Sequence, residues 1–177
     1  MFLRKSIVLL LIALGISCSN RNQPLTPGDN ALIPWIKMSP LPTSNDILGI
    51  WGTSKNDFWV IGDHETIIHR ESTSWKIIRE TIFGIFYDVW SYSPQDIYSV
   101  GMGGTIYHFN GDDWSEVSCG NFLNLYGVWG SIPINVFSVG ENGTIVRFSG
   151  TTWQPITSGT TNHLYGIWGT RASYARR

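Results

Sequence analysis

Four tryptophans, Trp51, Trp90, Trp129 and Trp168, follow one another at intervals of 39 residues. A second series, Trp75, Trp114 and Trp153, trails the first three by 24 residues each time. No insertion or deletion interrupts three successive copies, so each copy is one structural unit that must stack on its neighbours to bury its apolar faces. A period near 40 holding four short strands is that of a β-propeller blade. The expectation is therefore an all-β chain, a partial β-propeller of four-stranded antiparallel blades.

Each unit carries four strand signals. Strand A is the Leu-x-Gly-Val/Ile-Trp stretch, as in Leu125 to Trp129. Strand B is read in Asp57 to Ile61, Asp96 to Val100 and Asn135 to Val139, where β-branched and aromatic residues dominate. Trp59, Tyr98 and Phe137 share a face there with Ile61, Val100 and Val139. Strand C is Thr66 to Arg70, Thr105 to Phe109 and Thr144 to Phe148, and strand D starts at Trp75, Trp114 and Trp153. Between B and C, Gly103-Gly104 and Asn142-Gly143 are two-residue hairpin turns that need positive φ. His64-Glu65 holds the same place in the first unit, and a looser turn is expected there. Asn110-Gly111 and Ser149-Gly150 turn C into D. Asp57, Asp96 and Asn135 stand where a short polar side chain can bond back to the A–B turn, a structural role.

The pattern is incomplete at both ends. Leu32 to Met38, with Trp35, matches the last strand of a unit and reads as an orphan outer strand ahead of the first blade. Trp168-Gly169-Thr170 opens a fourth unit as a trailing inner strand, but residues 171–177 lack the Asp, the alternating strand and the Gly that should follow. Known propellers have four to eight blades. Three complete blades in residues 32–170, with an off-pattern tail at 171–177, imply a chain cut short relative to its parent, or a short form that closes by oligomerising.

Composition fits many strands and tight turns: 14% charged residues, 14% aromatic and 19 glycines. A disordered chain would lack the aromatics. The net charge of −1 provides no basic field and argues against a nucleic-acid partner. Arg4 and Lys5 precede an apolar run from Ser6 to Ile16, too short to span a bilayer comfortably, so residues 1–17 read as a signal peptide. Removing it leaves ten Lys and Arg against thirteen Asp and Glu, about −3. Leu14-Gly15-Ile16-Ser17-Cys18 resembles the lipobox of bacterial lipoproteins, although Gly15 departs from the usual Leu. That resemblance implies a lipid on Cys18, anchoring the chain to a membrane, and Ser19 after the Cys implies the outer membrane of the cell envelope. Residues 18–31, rich in Pro, Asn and Gly, read as a flexible tether. With Cys18 lipidated, Cys119 is a lone thiol and no disulfide staples the domain; the alternative is a Cys18–Cys119 bridge.

Written as Leu-x-Gly-Val/Ile-Trp-Gly-Ser/Thr, then Asp-Val-Phe/Tyr-Ser-Val-Gly-x-x-Gly-Thr-Ile-x-His/Arg-Phe-Asn/Ser-Gly-x-x-Trp, the repeat resembles those of secreted bacterial propellers. These are the WD40/YVTN/BNR-like group, with its photosystem II assembly factor-like members. Asn110-Gly111-Asp112-Asp113-Trp114 and Ser149-Gly150-Thr151-Thr152-Trp153 are also similar to the tail of the sialidase Asp-box, whose Ser-x-Asp part is missing here. That motif is a structural turn and confers no hydrolysis.

A glycosidase is the enzyme this architecture would suggest. It needs a carboxylate pair across a cleft, or, in a sialidase, three converging arginines and a tyrosine. The arginines are few (Arg70, Arg79, Arg147 and the terminal ones), and Asp88 and Asp112-Asp113 are scattered. His69, His108 and Arg147 recur at one place on strand C, which marks a structural part that neighbouring blades splay apart. His64 and His163 sit singly in turns, without metal-ligand spacing. The expectation is a non-catalytic scaffold with no metal and no cofactor; the competing one is a fragment of a glycan-active enzyme whose catalytic residues are missing. What varies among the copies is the D-to-A connections, Arg79 to Gly84, Ser118 to Asn124 and Thr157 to His163. Phe83, Asn121, Phe122, Asn162 and His163 there offer aromatic and amide groups suited to a protein or carbohydrate ligand.

Overall fold

The computed structural model describes residues 42–81 and 83–170. The expected signal peptide, Cys18, the tether, the leading outer strand and the 171–177 tail lie outside the described residues. Within them the chain forms three four-stranded antiparallel sheets, each built from consecutive strands. The first holds β1 (Ile47–Ser54), β2 (Asp57–Gly62), β3 (Ile67–Glu71) and β4 (Ser74–Arg79). The second holds β5 (Phe86–Ser93), β6 (Asp96–Gly101), β7 (Ile106–Phe109) and β8 (Trp114–Glu116). The third holds β9 (Leu125–Ile132), β10 (Asn135–Gly140), β11 (Ile145–Phe148) and β12 (Trp153–Ile156). This is the expected partial propeller.

The repeat sets the register. Trp51 pairs with Trp59, Trp90 with Tyr98 and Trp129 with Phe137, one equivalent pair per sheet. Inner strands run side by side from sheet to sheet, so each second strand is covered on both faces. That explains why β2 and β6 are buried along almost their whole length and read as continuous apolar runs.

Two clusters weld the sheets. Trp59, Ile61 and Ile67 of the first meet Phe86, Val89, Ile97 and Tyr107 of the second. Trp90, Tyr98, Val100 and Ile106 of the second meet Leu125, Val128, Val136, Val146 and Trp153 of the third. Both tryptophan series act across these joints. The outer-strand indole of Trp114 meets Trp59 of the preceding sheet edge-on at 5.3 Å, and Trp153 meets Tyr98 likewise at 5.9 Å. Edge-to-face pairs at such distances add to the area they bury. The inner-strand indoles lie over the next inner strand: a Cβ placed on Gly130 would stand 2.5 Å from Cη2 of Trp90, and one on Gly169 would stand 2.8 Å from Cη2 of Trp129. Gly130 and Gly169 occupy the same place in the repeat, one residue after the inner tryptophan. Glycine there lets the indole ring lie against the backbone.

The fourth unit follows the course of an inner strand without forming a ladder among the described residues. Leu164 N–H donates to Gly140 O at 2.9 Å, and Tyr165 stacks on Tyr126 at 5.1 Å. Trp168 is 84% exposed.

Candidate binding face

Antiparallel order within each sheet sends the β2–β3-type turns and the outer-to-inner connections to the same end of the molecule. The turns there are tight. Gly103 and Gly104 have φ of 67° and 78°, and Asn142 and Gly143 have 54° and 72°, as expected. The first unit differs from expectation. His64 and Glu65 adopt φ of 53° and 48°, and Thr66 N–H donates to Asp63 O at 3.0 Å, so that turn is as tight as the others. Its neighbours hold it in this costly region. Glu65 N–H donates to Gly84 O at 3.2 Å, and Arg79 donates to the Glu65 carboxylate through Nε and Nη2 at 2.9 and 2.5 Å.

Each outer-to-inner connection is bonded to the turn of its own sheet. Thr81 N–H donates to His64 O at 2.7 Å. Asn124 Oδ1 accepts from Gly103 N–H at 2.9 Å, and His163 Nδ1 accepts from Asn142 N–H at 3.0 Å. Asn124 and His163 are equivalent positions one repeat apart. His163 is therefore engaged in holding its loop, and its ring also packs on Tyr126 and Tyr165. Asn121 spends Oδ1 on Leu123 N–H at 3.0 Å, while its buried Nδ2 has no acceptor among the described residues. Asn162 is exposed. Phe83 and Phe122, also one repeat apart, are 76% and 89% exposed on this end, with Met102 at 43% in the turn between them. Met102 N–H donates to Ile85 O at 2.9 Å, tying that turn to the loop that carries Phe83.

Beside Phe122 a cleft of about 650 Å³ separates the second connection from the outer strands of the third sheet; Val117, Cys119, Asn121, Val146, Trp153 and Pro155 line it. Trp153 Nε1 is buried without an acceptor among the described residues, as are Trp51 Nε1 and Trp114 Nε1 elsewhere. Cys119 Sγ lies 3.2 Å from Gly104 O, and burial pushes the thiol pKa upward, which makes it a poor nucleophile.

Most of the residues considered for chemistry are structurally engaged. Asp57 and Asp96 each meet a histidine on the paired strand. Asp57 Oδ1 meets His69 Nε2 at 2.8 Å, and Asp96 Oδ1 meets His108 Nε2 at 2.7 Å, across two strands. Each imidazole is stacked on the strand-B aromatic, His69 on Trp59 at 4.0 Å and His108 on Tyr98 at 4.2 Å. The third sheet repeats the arrangement with other residues: Arg147 Nε donates to Asn135 Oδ1 at 2.8 Å and its guanidinium lies 5.5 Å from the Phe137 ring. Asn135 also reaches its turn, donating from Nδ2 to Ser131 Oγ at 2.8 Å. Asp88 stands where the repeat has Gly49 and Gly127. Its Oδ1 accepts from Val89 N–H and its Oδ2 from Val128 N–H on the next inner strand, both at 2.9 Å. Burial raises its pKa, against the lowering effect of those two amides. Asp112 and Asp113 are exposed in the β7–β8 turn, where their amides donate to Asn110 Oδ1. Among the described residues no three His, Cys, Asp or Glu side chains are grouped so as to hold a metal ion.

No family model matches the chain, and no curated protein does. Among solved structures it is similar to YCF48 bound to D1 peptide, at 19% identity and a TM-score of 0.58, over 70% of this chain and 45% of that one. It is also similar to YCF48 from Cyanidioschyzon merolae, at 20% identity and a TM-score of 0.56, over 70% and 44%. The likeness is one of fold, and the chain spans less than half the length of either structure.

Proposed function

We propose that this chain is a non-catalytic cell-envelope lipoprotein whose propeller domain binds a protein partner through the end that carries its outer-to-inner connections. The observation that carries the reading is the pair Phe83 and Phe122, 76% and 89% exposed at the same point of two adjacent connections. Large apolar side chains presented together on loops of a rigid scaffold are a binding feature. The ionisable groups that an enzyme would use are instead engaged in holding strands and loops together. A solved propeller of similar fold is bound to a peptide, which supports a polypeptide ligand over a carbohydrate.

Export and anchoring rest on the sequence alone: the basic and apolar leader, the lipobox-like stretch ending at Cys18, and the tether after it. A lipid on Cys18 would hold the binding end near the outer membrane. Detergent-phase partitioning of the chain and of Cys18→Ala tests this arm. Loss of partitioning in the variant is expected, and unchanged partitioning removes the anchor. For the binding arm, a photoreactive amino acid at position 122 is expected to capture envelope protein in cells, whereas the same label at Asp112, on the opposite end, is expected to capture none. Equal capture from both positions would contradict the assignment.

A further inference from the structure

Resting on that reading of the face, we infer that its partner is a polypeptide segment that combines Lys or Arg with apolar residues. Three observations converge on this chemistry. The first is the apolar surface: Phe83, Met102 and Phe122 stand exposed on adjoining loops, tied together through the Met102–Ile85 backbone bond. The second is a buried donor in the connection that carries Phe122: Asn121 Nδ2 finds no acceptor among the described residues. A buried donor left unpaired is costly, and a main-chain carbonyl of a bound peptide supplies the acceptor it lacks.

The third observation is charge. Residues 42–170 contain twelve Asp and Glu against five Lys and Arg, so the propeller is strongly acidic although the whole chain is nearly neutral. On the binding end Asp46, Asp63, Glu65, Glu80 and Glu141 face one cation, Arg79, and that guanidinium is engaged with Glu65 and lies 4.7 Å from the Tyr107 ring. Glu80 borders Asn45 at the start of the first sheet, and Glu141 lies in the third turn, where its carboxylate accepts from Asn124 N–H. Carboxylates sharing an end with exposed apolar side chains favour a cationic, apolar ligand and repel an acidic one.

The test uses the full chain in mild detergent and three labelled twelve-residue peptides: Leu-Lys-Ser repeats, the same with Glu for Lys, and the same with Ser for Leu. Fluorescence anisotropy reads the affinity. The Leu-Lys-Ser peptide is expected to bind at least ~10-fold more tightly than either counterpart, and more weakly as salt rises. Phe83→Ser with Phe122→Ser should weaken it by on the order of 10-fold, and Asp63→Asn with Glu141→Gln should weaken it and flatten its salt dependence. Asp112→Asn with Asp113→Asn, on the opposite end, should leave it unchanged. Tighter binding of the Glu peptide that still depends on the two phenylalanines would overturn the charge preference while leaving the binding face standing. Binding of any peptide that ignores the phenylalanines, or no binding at all, would overturn this inference, and photocapture from position 122 then judges the face separately.

Discussion

Gly130 offers a sharp test of how the sheets are joined. Its backbone lies under the Trp90 indole, and an added Cβ would stand 2.5, 2.8 and 3.0 Å from Cη2, Cζ3 and Cζ2 of that ring. All three atoms belong to the six-membered ring of a side chain only 7% exposed and packed within the second inter-sheet cluster. Gly130 has no positive φ, so alanine suits its backbone and would recover about 0.5 kcal/mol by restricting the unfolded chain. Overpacking a closed core costs about 1–3 kcal/mol. The net expectation for Gly130→Ala is a loss of about 1–2 kcal/mol, or roughly 4 °C in Tm per kcal/mol for a domain of this size. Trp90→Phe removes the offending ring edge. The double variant should therefore lose less than the sum of the two single losses, by about 1 kcal/mol in a double-mutant cycle followed by urea unfolding. Strict additivity, or a Gly130→Ala variant as stable as the parent, would refute the claim that this indole is clamped between sheets.

Other outcomes follow from the same packing. Trp153→Ala, at a 6% exposed position wedged against Tyr98, should cost about 3–5 kcal/mol, while Trp168→Ala, at 84% exposure, should stay within about 0.5 kcal/mol; equal losses in urea titrations would contradict the assigned joints. His64→Asn, which copies Asn142 at the equivalent turn position, should stabilise the chain by about 0.5–1 kcal/mol by relieving a histidine at φ 53°, read as a higher Tm. Burial raises the Cys119 thiol pKa, so less thiolate is present than for a free cysteine at any pH up to its folded pKa. In a Cys18→Ser background a disulfide reagent at pH 8 should therefore react slowly with the folded chain and at the ordinary rate once urea unfolds it.

The 39-residue spacing made the sheets, their order and the tight turns legible before any coordinates, because a rigid repeat leaves the inner indoles one register to occupy. The tightness of the His64–Glu65 turn is not legible in the sequence, because its positive φ is sustained by partners elsewhere, Arg79 and Gly84, that turn chemistry alone does not reveal. The bonds from Asp57 to His69 and from Asp96 to His108, twelve residues on, are not legible from turn chemistry, because it is the pairing of consecutive strands that brings them together. The recurrence of His69, His108 and Arg147 at one site did signal a structural part. Phe83 and Phe122 were visible as loop aromatics, whereas His163 proved to be engaged within its loop. The acidity of the propeller was hidden in the net charge, because seven of the twelve Lys and Arg lie outside residues 42–170.

The stacking of sheet on sheet positions every loop of the binding face, and one NMR measurement addresses it. In a chain with selectively labelled aromatic residues, nuclear Overhauser contacts should join the Trp59 and Trp114 rings, 5.3 Å apart in different sheets, as well as Phe58 and Trp75, 5.6 Å apart within one. Contacts confined to the second pair, with none between Trp59 and Trp114, would contradict the propeller arrangement and the face built on it.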